Sequence, residues 1–143
     1  LKYKSDVDFE NYKQMKKFIY FTVLLITVNS FYCVSQNYKN YSSEEFRNMI
    51  LGNSYGTEIL DVRTAAECDS GYIEGALNID FYNTDFKNLL SKLDKNKTYL
   101  VYCRVGRRSG LTCNTLSELG FTKLYNLKGG IKEWRAAGFS TVK

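Results

Sequence analysis

The sequence predicts an α/β protein: a small parallel β-sheet flanked by helices on both faces, preceded by an amino-terminal hydrophobic export segment. Three observations carry this. Short apolar runs suited to buried strands alternate with helical segments, which is the pattern of a parallel sheet covered on both sides. Glycine-rich or polar breaks separate them. A single longer apolar run stands apart near the start, directly behind a Lys-Lys pair.

The chain has 143 residues, room for one compact domain and a short appendage. Its apolar and charged fractions, 44% and 24%, are those of a globular protein and disfavour disorder or a multispan membrane architecture. The net charge is +5, but five of the bases precede the apolar run, and beyond residue 35 there are 15 Lys and Arg against 12 Asp and Glu. No basic stripe interleaved with aromatics appears, so no nucleic-acid partner is expected. There is no His, which excludes a Ser-His-Asp triad, a Cys-His pair and a histidine metal site within the chain. The four cysteines, Cys33, Cys68, Cys103 and Cys113, have neither Cys-x-x-Cys spacing nor the density of a disulfide framework. Neither a metal nor another cofactor is expected.

Met15-Lys16-Lys17 precedes the apolar run Phe18 to Val28, which is followed by Asn29-Ser30 and Cys33-Val34-Ser35. A basic start, an apolar stretch and small residues at a cut site are the parts of a secretory signal. Residues 15–35 are therefore read as a signal peptide cleaved after Ser35, which places the domain outside the cytoplasm, in the periplasm. The alternative is a membrane anchor over residues 18–34; the run is shorter than the ~20 residues of a spanning helix. Acylation at Cys33 is disfavoured by the bulky Phe31-Tyr32 before it, and a core helix over 18–28 by the Lys-Lys start. Residues 1–14 read as an upstream extension, 36–41 as a linker and 42–143 as the domain.

Ser42 and Glu45 form a potential capping box, with Phe46, Met49 and Ile50 following at helical spacing. Strands are expected at 57–62, 76–80 and 98–102, with a helix over 84–93 whose apolar face is Phe86, Leu89, Leu90 and Leu93. A helix from Ser109 to Leu119 buries Leu111, Thr115, Leu116 and Leu119 and stops at Gly120. A strand over 123–126 and a helix over 130–137 complete the domain.

In an open α/β sheet, sites lie where strand ends lead into helices. Cys103 occupies such a position, in the segment Cys103-Arg104-Val105-Gly106-Arg107-Arg108-Ser109. A turn at Val105-Gly106 aims successive N–H groups inward as an anion nest, and the helix beyond adds its positive end. Together with Arg neighbours, these lower a thiol pKa from about 8.5 by one or more units. That replaces the missing histidine base.

Leu60-Asp61-Val62-Arg63, Glu67 and Gly71-Tyr72-Ile73-Glu74-Gly75-Ala76-Leu77-Asn78-Ile79, the Cys103 loop, and Leu119-Gly120-Phe121 with Leu127-Lys128-Gly129-Gly130-Ile131-Lys132-Glu133-Trp134 resemble, in order, three motifs of rhodanese-like domains over about residues 42 to 142. The resemblance implies sulfane-sulfur transfer through a Cys103 persulfide held by the backbone N–H groups from Arg104 to Ser109. Arg104, Arg107 and Arg108 attract an anionic donor such as thiosulfate, and cyanide or a thiol, including a thioredoxin-like protein, accepts the sulfur. Asp61 and Arg63 are expected to form a structural pair near the site. Tyr72 and Glu74 stand where the family has His and Pro, and Cys68 where an aromatic is common, which bears on substrate fit. Two rivals remain: a non-catalytic binding module, and a cysteine phosphatase or arsenate reductase. The latter needs an Arg six positions after the cysteine, where Ser109 stands.

Overall fold

The computed structural model describes residues 11–22, 37–52 and 56–143. The chain divides into two units, Leu1–Ser35 and Gln36–Lys143. In the first, residues 11–22 are helical (α1), with Phe18, Ile19, Tyr20 and Phe21 exposed rather than packed in a core. Residues 23–35 of the expected export segment, including Cys33 and the cut site, lie outside the described residues. Among the described residues no helix is long and apolar enough to cross a membrane.

The second unit runs β1 (Lys39–Tyr41), α2 (Ser43–Gly52), β2 (Thr57–Asp61), α3 (Ala65–Cys68), β3 (Ala76–Asn78), α4 (Phe86–Ser91), β4 (Thr98–Tyr102), α5 (Arg107–Glu118), β5 (Leu124–Leu127) and α6 (Gly130–Ala136). The sheet order is β1-β5-β4-β2-β3, and every pairing is parallel. Central β4 is buried along its whole length, as its unbroken apolar run requires.

Strand alternation divides the core. Leu60, Tyr99, Val101 and Leu124 face Leu90, Cys113 and Leu116 of α4 and α5. Ile59, Leu100, Tyr102 and Leu127 face Phe46, Ile131 and Trp134 of α2 and α6. Each fully buried Leu or Phe contributes roughly 1.5–3 kcal/mol, so the helices are fixed on the sheet chiefly by these contacts. The capping box forms as expected, Ser42 N–H donating to Glu45 Oε2 at 2.8 Å and Glu45 N–H to Ser42 Oγ at 3.3 Å.

Three local expectations are corrected. Residues 39–41, read as linker, form an edge strand on β5 through the register Lys39 with Tyr125 to Tyr41 with Leu127; edge strands tolerate polar sequence because one side faces water. The helix expected from Ser109 begins at Arg107. Its buried stripe is Ser109, Thr112, Cys113 and Leu116, while Leu111 is 47% exposed. Small residues at 109, 110 and 113 let α5 approach the sheet, which turns the larger Leu111 outward.

Candidate active site

Strand β4 delivers Cys103 to the carboxyl end of the sheet, where it is 1% exposed and continues the stripe of Tyr99 and Val101. The loop that follows turns at Gly106, whose φ of 85° is the left-handed conformation that caps α5. A Cβ at this glycine collides with the Lys128 carbonyl.

The loop carbonyls are tied down around the outside. Ile131 N–H donates to Cys103 O at 2.9 Å and Lys132 N–H to Arg104 O at 3.2 Å, both from the start of α6. Gly130 makes that approach possible: it adopts φ 61°, and a Cβ there lies 2.5 Å from Cys103 O. Asn126 Nδ2 donates to Gly106 O at 3.3 Å. With the carbonyls turned away, the N–H groups of Val105, Gly106 and Ser109 face the Cys103 sulfur, and Ser109 Oγ donates to Sγ at 3.4 Å. Burial pushes this thiol up, but the Ser109 hydroxyl and the three N–H groups outweigh it, so the Cys103 pKa lies below the ordinary thiol value.

The three loop arginines have different fates. Arg108 makes a bidentate pair with Glu67, Nη1 to Oε2 at 2.8 Å and Nη2 to Oε1 at 2.7 Å, and lies 5.5 Å from the centre of the Tyr82 ring. The Arg108 guanidinium holds the Glu67 carboxyl down at about 2. Glu67 also closes the α3 capping box by accepting from Thr64 N–H. Arg104 and Arg107 are exposed. All three border a cleft of about 660 Å³ that reaches Cys103, with Tyr82, Val105 and Leu111 also on its walls.

Asp61 and Arg63 form the expected pair, and it is buried. Arg63 Nε donates to both Asp61 oxygens at 3.0 Å and Nη2 to Oδ2 at 2.6 Å, while further donors reach the Glu67 and Gly71 carbonyls. Neither residue borders the Cys103 cleft; the guanidinium stitches β2 to the 67–71 segment. The structure thus gathers Cys103, Val105, Gly106 and Ser109 at one sulfur, sets the arginines around it and leaves Asp61 and Arg63 outside. Tyr82 and Asn126 were not singled out from the sequence, and Gly130 entered only within the segment Leu127 to Trp134. The Gly129-Gly130 doublet was the one visible signal, since paired glycines mark close backbone approach.

Residues 42–137 match the family model for the rhodanese-like domain. The chain is 33% identical to the uncharacterized protein YqhL of Bacillus subtilis, covering 81% of this chain and 88% of that protein. It is 30% identical to a sulfurtransferase of Allochromatium vinosum, covering 72% and 94%, and 36% identical to the thiosulfate sulfurtransferase PspE of Escherichia coli, covering 52% and 70%. A rhodanese-related protein of Thermoplasma volcanium superposes with a TM-score of 0.65 at 28% identity, over 73% of this chain and 98% of that one. The family model spans two thirds of the chain and the relatives extend over the same region, and the chain belongs to the rhodanese-like domain family.

Proposed function

We propose that the protein is a sulfurtransferase that carries sulfane sulfur on Cys103, with thiosulfate as a donor and a thiol or cyanide as acceptor. The observation that carries this reading is the convergence of N–H and O–H donors on a buried sulfur. Such a shell stabilises a sulfur anion, whether thiolate or persulfide, without a titrating base.

In the first half-reaction the Cys103 thiolate attacks the outer sulfur of thiosulfate. A new S–S bond forms to Sγ, the donor's S–S bond breaks and sulfite leaves with the electron pair. In the second, the acceptor attacks the outer sulfur of the persulfide and Sγ departs as the thiolate. Exposed Arg104 and Arg107 draw the dianion to the cleft, while Arg108, already paired with Glu67, acts mainly as a wall. The phosphatase reading is disfavoured by Ser109 at the position of the required Arg and by donors that close on Sγ itself.

Incubation with thiosulfate followed by intact mass measurement tests this. The expected result is a gain of one sulfur atom that cyanide discharges and that Cys103→Ser lacks. No gain means a non-catalytic module, and turnover of an aryl phosphate favours the phosphatase. We place this activity in the periplasm, with membrane attachment through residues 18–34 as the alternative; a thioredoxin-like protein remains a proposed acceptor. Fractionation of cells expressing the full chain checks the location, and recovery in the cytosolic fraction defeats it.

A further inference from the structure

Beside the Cys103 cleft lies a second groove of about 490 Å³, within the size range of small-molecule sites. Arg104 and Glu67 border both cavities and form the ridge between them. The second groove is cationic. Arg104 and Lys132 are adjacent in it, since Lys132 N–H donates to Arg104 O at 3.2 Å, and both side chains are exposed. Arg135 stands on its wall, held by bonds of 2.9 Å from Nη2 to the Ser70 and Gly71 carbonyls. Among the described residues the one carboxylate on its lining, Glu67, has both oxygens engaged by Arg108 from the cleft side. Its charge is therefore spent on Arg108 and leaves the cations of the groove largely uncancelled.

Thiosulfate does not need this groove, because Arg104 and Arg107 already border the cleft at Cys103. We propose that the groove binds the carboxylate-bearing tail of a low-molecular-weight thiol, a peptide-sized acceptor whose sulfur lies in the Cys103 cleft and whose tail crosses the Arg104 ridge to Lys132 and Arg135. The proposal rests on the sulfurtransferase reading and names its acceptor class. In the step it serves, the acceptor thiolate forms a bond to the outer persulfide sulfur. The bond from that sulfur to Sγ breaks, its electron pair returns to Cys103 as the thiolate, and the transferred sulfur leaves on the acceptor as a persulfide anion, so no proton has to move. Attraction between the carboxylates and the groove cations raises the local concentration of this acceptor over a neutral one.

The test compares three acceptors on the preformed persulfide: glutathione, as a dicarboxylate tripeptide thiol; 2-mercaptoethanol, as a neutral thiol; and cyanide. Lys132→Glu is expected to lower the second-order rate constant for glutathione by about fivefold to tenfold and to leave the other two within about twofold. Lys132→Gln gives a smaller loss in the same direction, and added salt suppresses the glutathione rate selectively. An equal response of glutathione and 2-mercaptoethanol, compared at equal thiolate concentration, overturns the proposal. A second arm does not depend on turnover: S-methylglutathione is titrated into Cys103→Ser and followed by amide NMR. Shifts at Lys132, Arg104 and Arg135 are expected, and their absence at millimolar ligand overturns the groove assignment. Failure to form a persulfide at all defeats the sulfurtransferase reading instead, and the titration still decides the groove.

Discussion

Cys103 and Cys68 follow neighbouring strands of one sheet, β4 and β2, yet their thiols are driven in opposite directions. Cys68 is the more exposed of the two. Even so, burial and the adjacent Asp61 carboxylate, which accepts from its Sγ at 3.5 Å, push it up to about 11. Cys103 is almost wholly enclosed and is pushed below the ordinary value. Cys113, also enclosed, has only burial acting on it and is raised. What separates these thiols is therefore the sign of the groups aimed at each sulfur, with burial alone a poor guide to the direction in which a thiol is pushed.

The contrast breaks most severely if the loop is forced open. Gly106→Ala adds a Cβ at φ 85° against the Lys128 carbonyl, so the N–H groups of Val105 and Gly106 must leave the sulfur. Iodoacetamide alkylation of Cys103 at pH 7 is expected to slow at least about tenfold, with a Tm loss of several degrees. An unchanged rate detaches activation from loop geometry. Ser109→Ala removes the hydroxyl and keeps the backbone donor, so the alkylation midpoint moves up in pH and the rate at pH 7 falls roughly threefold.

A smaller effect concerns the Arg108–Glu67 pair. The Glu67 carboxyl has its pKa lowered from 4.5 to about 2 in the folded chain. Its contribution to stability is thus complete above the unfolded value and is lost as pH falls from about 4.5 toward 2. Because the pair is partly exposed, the loss is discounted to about 1 kcal/mol. Urea midpoints at pH 7 and pH 3 should converge in Glu67→Gln relative to the parent. The smallest change is expected at the other thiol: Cys68→Ala leaves Cys103 alkylation at pH 7 within about twofold, and a larger shift couples the two sites.

The parts of this molecule that could be read from sequence are those set by local pattern. The apolar run Thr98–Tyr102, the Ser42 capping box and the position of Cys103 at a strand end all follow from periodicity and punctuation. Asp61 and Arg63 are close in sequence, and their pairing was legible for that reason. Long-range geometry was hidden. The polar segment Lys39–Tyr41 gives no strand signal because its pairing energy comes from β5. The outward turn of Leu111 depends on how closely α5 packs, and the anchoring of the Cys103 and Arg104 carbonyls depends on α6, well separated from them along the chain. The role of Glu67 as partner of Arg108 was likewise invisible, since 41 positions separate them.

The ties from Ile131 and Lys132 to the loop carry a consequence for the order of events during folding. In the folded chain the start of α6 closes on the carbonyls of residues 103 and 104, and α6 emerges from synthesis after the cysteine does. An unfolded chain holds an ordinary, mostly protonated thiol. Reactivity is thereby postponed to the finished fold, and a partly assembled molecule is spared the oxidation and mispairing that a free thiolate invites.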